Sequence, residues 1–186
     1  MKRILKLILP FFLIISVLGA IYFVSKWNKI SYDENIYKSK GIKILDKKIF
    51  HNFLINSDST KVKTDFEIFE NKIDTVSSGF NSTLNPKYPN LLILRFNSGD
   101  GYSGININVL KYKNYFYTTA ESYTDVVSAS DFLESEPYII KKQKLTLNKS
   151  VYKKGDSIYG KIELEIKFTP NDSIYNAKGY FRSLIE

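Results

Sequence analysis

The sequence predicts a mainly β protein: a single antiparallel β-sandwich (or barrel-like) domain that follows an N-terminal transmembrane helix. Three observations carry that expectation. Leu7–Val24 is 18 residues without a charge, close to the roughly 20 that a helix needs to cross about 30 Å of hydrocarbon. Ile158–Phe168, IYGKIELEIKF, alternates with period two, as a half-buried strand does. Elsewhere short apolar runs are broken by glycine, asparagine and proline turns, with little helical periodicity.

Each element follows in chain order. Residues 1–6 form a cytoplasmic tail, because Lys2, Arg3 and Lys6 precede the apolar run and hold that end inside. Residues 7–24 form the membrane anchor. Tyr22 and Trp27 fall where its far interface would be, and Pro10 lies in the first turns, where a missing N–H costs least. The rival reading is a cleaved signal peptide, with Val17 and Gly19 as small residues before a cut at Ala20. Both readings put the remainder outside the cytoplasm, either on the cytoplasmic (inner) membrane as a single-pass protein or secreted after cleavage.

Residues 25–40 read as a polar linker or an irregular first edge, and 41–186 as the extracytoplasmic β domain. Gly41–Phe53 is expected as a strand or bent pair. Asp65–Ile73 suits a helix or a strand. Ser77–Asn90, SSGFNSTLNPKYPN, has no regular pattern and is expected as a loop; loops of that length are uncommon unless functional or disordered. Leu91–Phe96 is expected as a central strand buried on both faces, joined through the Asn97–Gly104 turn to a strand carrying Ile105, Ile107 and Val109. Tyr115–Thr119 and Ile139–Leu147 are further strands. Ser128–Glu136 reads as a short helix, opened by Ser128 and Asp131 and stopped by Pro137. In Ile158–Phe168 a helix would set Ile162 and Leu164 about 200° apart, so a strand is preferred. Ile174–Ile185 closes the domain, with Gly179 at a bulge or close approach.

One stretch carries a family resemblance. TLNKSVYKKGDSIYGKI, Thr146–Ile162, has Tyr152, two lysines, Gly155-Asp156 and then an alternating strand. It resembles the opening strands of immunoglobulin-like and macroglobulin-like modules. The resemblance covers 17 residues, implies a sandwich strand pair and carries over no functional residue.

Composition excludes several chemistries. There is no cysteine, hence no disulfide, thiolate nucleophile, cysteine zinc site or lipid-modified cysteine. His51 is the single histidine, and its context KKIFHNFLI reads as a strand histidine, not as part of a nucleophilic triad. Of the formal charge of +8, residues 1–32 hold five basic residues and no acid, so the domain is nearly balanced. Only three basic residues are arginine, and no nucleic-acid partner is expected. NSGDGYSG, Asn97–Gly104, matches neither a calcium loop nor a phosphate loop. Glu163 and Glu165 share a strand face with Lys161 and Lys167, as on an ordinary solvated surface. Asp125, Asp131, Glu134 and Glu136 form a looser acidic group. No catalytic, metal or cofactor residues are assigned, and no cofactor is expected.

The expected function is non-catalytic binding or scaffolding of an envelope protein or carbohydrate by a membrane-anchored domain. Phe80 and Tyr88, in the patternless loop, are the candidate partner-binding residues. The alternatives are a small inhibitor or immunity-type protein, and an envelope carbohydrate hydrolase using Asp and Glu carboxylates.

Overall fold

The computed structural model describes residues 2–47, 49–50, 60–61, 63–70, 73–74, 79–99, 103–124 and 138–186, and the side chains of the first helix from Ile14 onward. His51, the expected Ser128–Glu136 helix and the acidic group from Asp125 to Glu136 lie outside the described residues.

The chain begins with helix α1 (Lys2–Ser25). Two short strands follow, β1 (Asn28–Lys29) and β2 (Ser31–Tyr32), then a 3₁₀ turn at Ile36–Lys38 and helix α2 (Lys40–Lys47). The strands after it are β3 (Ile49–Phe50), β4 (Thr60–Lys61), β5 (Glu67–Glu70), β6 (Ile73–Asp74) and β7 (Phe80–Leu84). The long ones come last: β8 (Leu91–Gly99), β9 (Ser103–Tyr112), β10 (Tyr115–Thr124), β11 (Tyr138–Leu147), β12 (Ser157–Phe168) and β13 (Ser173–Leu184).

They form two principal sheets, ordered β1-β10-β9-β8-β7 and β2-β11-β12-β13-β5-β6, with β3 and β4 as a separate pair. Pairing is antiparallel except between β2 and β11. The inner faces meet in one core, so the mainly β, two-sheet expectation holds. In β12 the residues Ile158, Gly160, Ile162, Leu164 and Ile166 are buried and alternate with partly exposed ones. At the centre Phe66, Phe80, Phe96 and Phe181 cluster, with neighbouring ring centroids 4.8–5.2 Å apart. Two glycines make room for them. A Cβ on Gly160 would lie 2.2 Å from Phe181 Cζ, and one on Gly179 would lie 2.3 Å from Phe66 Cα. Gly179 is thus the close approach that its place in a strand suggested.

Other expectations are corrected. Lys40–Lys47 is a helix, not a strand. Ile42 and Leu45 are buried three residues apart while Ile44 is exposed, and the Ser39 hydroxyl accepts the Ile42 N–H at 3.4 Å as an N-cap. This helix rests on β13: Arg182 Nη2 donates to the Leu45 carbonyl at 2.9 Å, Nη1 pairs with Asp46, and Gly41 lies against the Tyr180 ring. Leu91–Phe96 lies between β9 and the edge strand β7, not at the centre of its sheet, and is buried on one face only, since Arg95 is exposed. Residues 25–40 are no free linker; they supply an edge strand to each sheet and bury Ile30 and Ile36. Phe80 belongs to a strand, not to a loop. Among the described residues no helix is long and apolar enough to cross a membrane. The side chains of residues 2–13, half of α1, lie outside that set.

Candidate functional site

The two sheets meet at one corner and part beyond it. At the corner Ile30 is buried between β1, which pairs with Tyr115 and Phe116, and β2, which pairs with Thr146 and Leu147. Moving away from it, the inward residues of β10 are Phe116, Thr118 and Ala120. Those of β11, in the same direction, are Leu147, Leu145 and Gln143. Bulk falls along β10, and on β11 an amide replaces the leucines, so facing side chains no longer fill the gap. A cleft of about 500 Å³ results, lined by parts of β10 and β11 and by the foot of α1.

A bulge shapes its floor. Ile140 pairs with Ile166 and Lys142 with Glu165, leaving Lys141 unpaired. The extra residue resets the alternation, so that Tyr138 and Ile140 pack toward the core on the same side as Gln143 and Leu145.

The cleft's polar groups are incompletely matched. Thr118 is 1% exposed, and its Oγ1 has no hydrogen-bond partner; nor has the buried Oε1 of Gln143. The Gln143 amide nitrogen donates to the Lys26 carbonyl at 3.0 Å, which orients the oxygen. Each buried unsatisfied polar atom costs about 1–3 kcal/mol. Beyond Phe116 no described strand pairs with the outer edge of β10, and before Thr146 none pairs with that of β11. Unpaired strand edges are templates for a further strand.

The foot of α1 closes one end. The Trp27 ring packs on Tyr117 at 6.0 Å and Phe23 on Trp27 at 6.2 Å. Lys26, Lys141 and Lys142 rim the opening, and Lys142 pairs with Glu165 at 2.6 Å. Among the described residues no carboxylate lines the cleft, and those that do line it offer hydrogen-bond donors and acceptors and positive charge.

The residues singled out in the sequence fall elsewhere. Phe80 is 4% exposed, between Phe96 and Phe181; a side chain committed to the core has no surface to offer a partner. Tyr88 is 63% exposed, in a turn held by Asn85 Oδ1, which accepts its N–H at 3.1 Å. The two are not one patch. Glu163 pairs with Lys161, whose hydrogen bond holds its carboxyl below the usual range. Among the described residues no three of His, Cys, Asp and Glu gather as metal ligands. Thr118 and Gln143 were missed, though polar residues in phase with Phe116 and Leu145 were the available signal. No family model, curated protein or solved structure matches the chain, and its geometry is therefore the basis on which its function is read.

Proposed function

We propose that the chain is a membrane-held binding domain of the cell envelope. In this reading α1 lies in the cytoplasmic membrane, the sandwich stands outside the cytoplasm, and the cleft takes an extended segment of another envelope protein. The observation that carries it is the pair of unpartnered atoms, Thr118 Oγ1 and Gln143 Oε1, between two unpaired strand edges. An added strand pairs its main chain with such edges, while its side chains supply selectivity. The rim lysines favour an acidic segment.

Support for the anchor is separate. Leu7–Val24 carries no charge, the backbone is helical throughout Lys2–Ser25, and Ile14, Leu18, Ile21 and Val24 are exposed, without cover from the domain. A bilayer removes that apolar surface from water and leaves helical backbone groups satisfied.

The test uses the full-length chain in native membranes, with a photo-crosslinking side chain at Thr119 or Ile139, both at the cleft. Adducts should map to one segment of one envelope protein and vanish in Thr118→Val/Gln143→Leu. A control probe at Glu163, on the outer face of β12, should not yield that adduct. Adducts to glycan or lipid alone would overturn the peptide reading. Release of the protein by alkaline carbonate would overturn the anchor.

A further inference from the structure

A second cavity, of about 290 Å³, lies where the turn between β9 and β10 meets the loop around Ser150. Its walls include Leu84, Leu92 and Val151. Lys111 also lines it, at the inward position that follows Ile107 and Val109 along β9.

Lys111 is 3% exposed. Its Nζ donates to the carbonyls of Lys113 at 2.8 Å and Ser150 at 2.7 Å, and stands 5.8 Å from the centre of the Tyr152 ring. An ammonium has three donors, and carbonyls take two. None of the ion pairs among the described residues includes Lys111. Asp156, on a neighbouring turn, is committed to Lys149 at 2.8 Å and to the Lys153 N–H at 2.7 Å. Burial pushes the Lys111 amine down to about 8, with no opposing charge among the causes. A buried cation without an anion is costly, and it is uncommon in a protein core unless a partner supplies the charge.

Lys111 is the buried cation of a cavity whose lining mixes Leu84, Leu92 and Val151 with Asn90, Asn114 and the exposed Lys113, and such a site suits a ligand with a negative charge and a partly apolar body. We propose that this cavity binds a small carboxylate with an apolar body, the carboxylate pairing with Lys111 Nζ and the body lying between Leu84, Leu92 and Val151. The carbonyls already on Nζ disfavour a more highly charged anion such as phosphate. The site is separate from the cleft, and its fate does not depend on the reading above.

The experiment uses the full-length chain in lipid nanodiscs, labelled with ¹³C at lysine Cε, and benzoate as probe, with benzyl alcohol as the neutral control. Benzoate should shift the Lys111 resonance and move its titration upward, and benzyl alcohol should do neither. Lys111→Met should keep the strand circular dichroism and lose benzoate binding, read from the ligand's own resonances. Val151→Trp, a change on an exposed loop, should fill the chamber and block the Lys111 shift without touching the amine. Absence of a shift at millimolar benzoate, equal responses to both probes, or benzoate binding that survives either variant would overturn the proposal.

Discussion

At the scale of single residues, Lys111 sets a pH dependence of stability that opposes the usual decline in alkali. Its amine gives up its proton near pH 8 in the folded chain and near the ordinary 10.5 when unfolded. Between those values the unfolded state binds more protons, so stability rises with pH. The shift corresponds to an upper bound of about 3–4 kcal/mol, reduced by whatever solvent the cavity admits. Above about pH 10 the buried Tyr152, whose hydroxyl burial pushes well above its ordinary 10.0, reverses the trend. Denaturant unfolding of the chain should therefore show stability rising from pH 8 to 10, and Lys111→Met should flatten that rise. An equal rise in the variant would show that another group is responsible. Neither this lysine nor the Phe80 cluster was legible in the sequence. Lys111 stands in KYKNY among charged neighbours, and Phe80 in a run of serines and asparagines; only strand pairing places both indoors.

At the scale of elements, legibility followed length. Along the 12 residues of β12, repeated alternation distinguishes period two from period 3.6. Over the 8 residues of α2, the pattern Ile42, Ile44, Leu45 fits either period. The β11 bulge defeats alternation outright, because the phase before Lys141 differs from the phase after it. The cleft was invisible for a related reason: it exists because the small Thr118 and Ala120 of β10 lie across from Gln143 of β11, and neither strand announces its partner across the sandwich. Its energetics are testable. Thr118→Val and Gln143→Leu each remove a buried polar atom that lacks a partner. Thr118→Val should raise stability by about 1 kcal/mol, read as a higher denaturation midpoint at unchanged slope, whereas Gln143→Leu also forfeits the donation to the Lys26 carbonyl and should gain less. A loss in Thr118→Val would mean that its hydroxyl is satisfied within the protein.

At the scale of the whole molecule, the folded unit starts earlier than the sequence suggested. The run from Asn28 to Leu45 adds edge strands, a turn and a helix, and buries Ile30, Ile36, Ile42 and Leu45. Burying each such side chain contributes about 1.5–3 kcal/mol, so four are comparable to the total stability of an ordinary domain. A chain beginning at Lys26 should melt cooperatively. One beginning at Gly41, which lacks Ile30 and Ile36, should melt many degrees lower or fail to fold. Equal melting temperatures would return residues 25–40 to the status of a linker.

The same corner has a consequence for the order of events in biosynthesis. Asn28 and Lys29 meet Phe116 and Tyr115, while Ser31 and Tyr32 meet Thr146 and Leu147. A ribosome adds roughly 5–20 residues each second, so the segment emerges on the order of 10 s before its last neighbour. Throughout that interval Ile30 lacks its burial site, and the slots on β10 and β11 do not yet exist. Once they form, the waiting segment competes with any other extended peptide nearby. A peptide that reaches β10 before Asn28 docks would occupy the corner as well as the cleft.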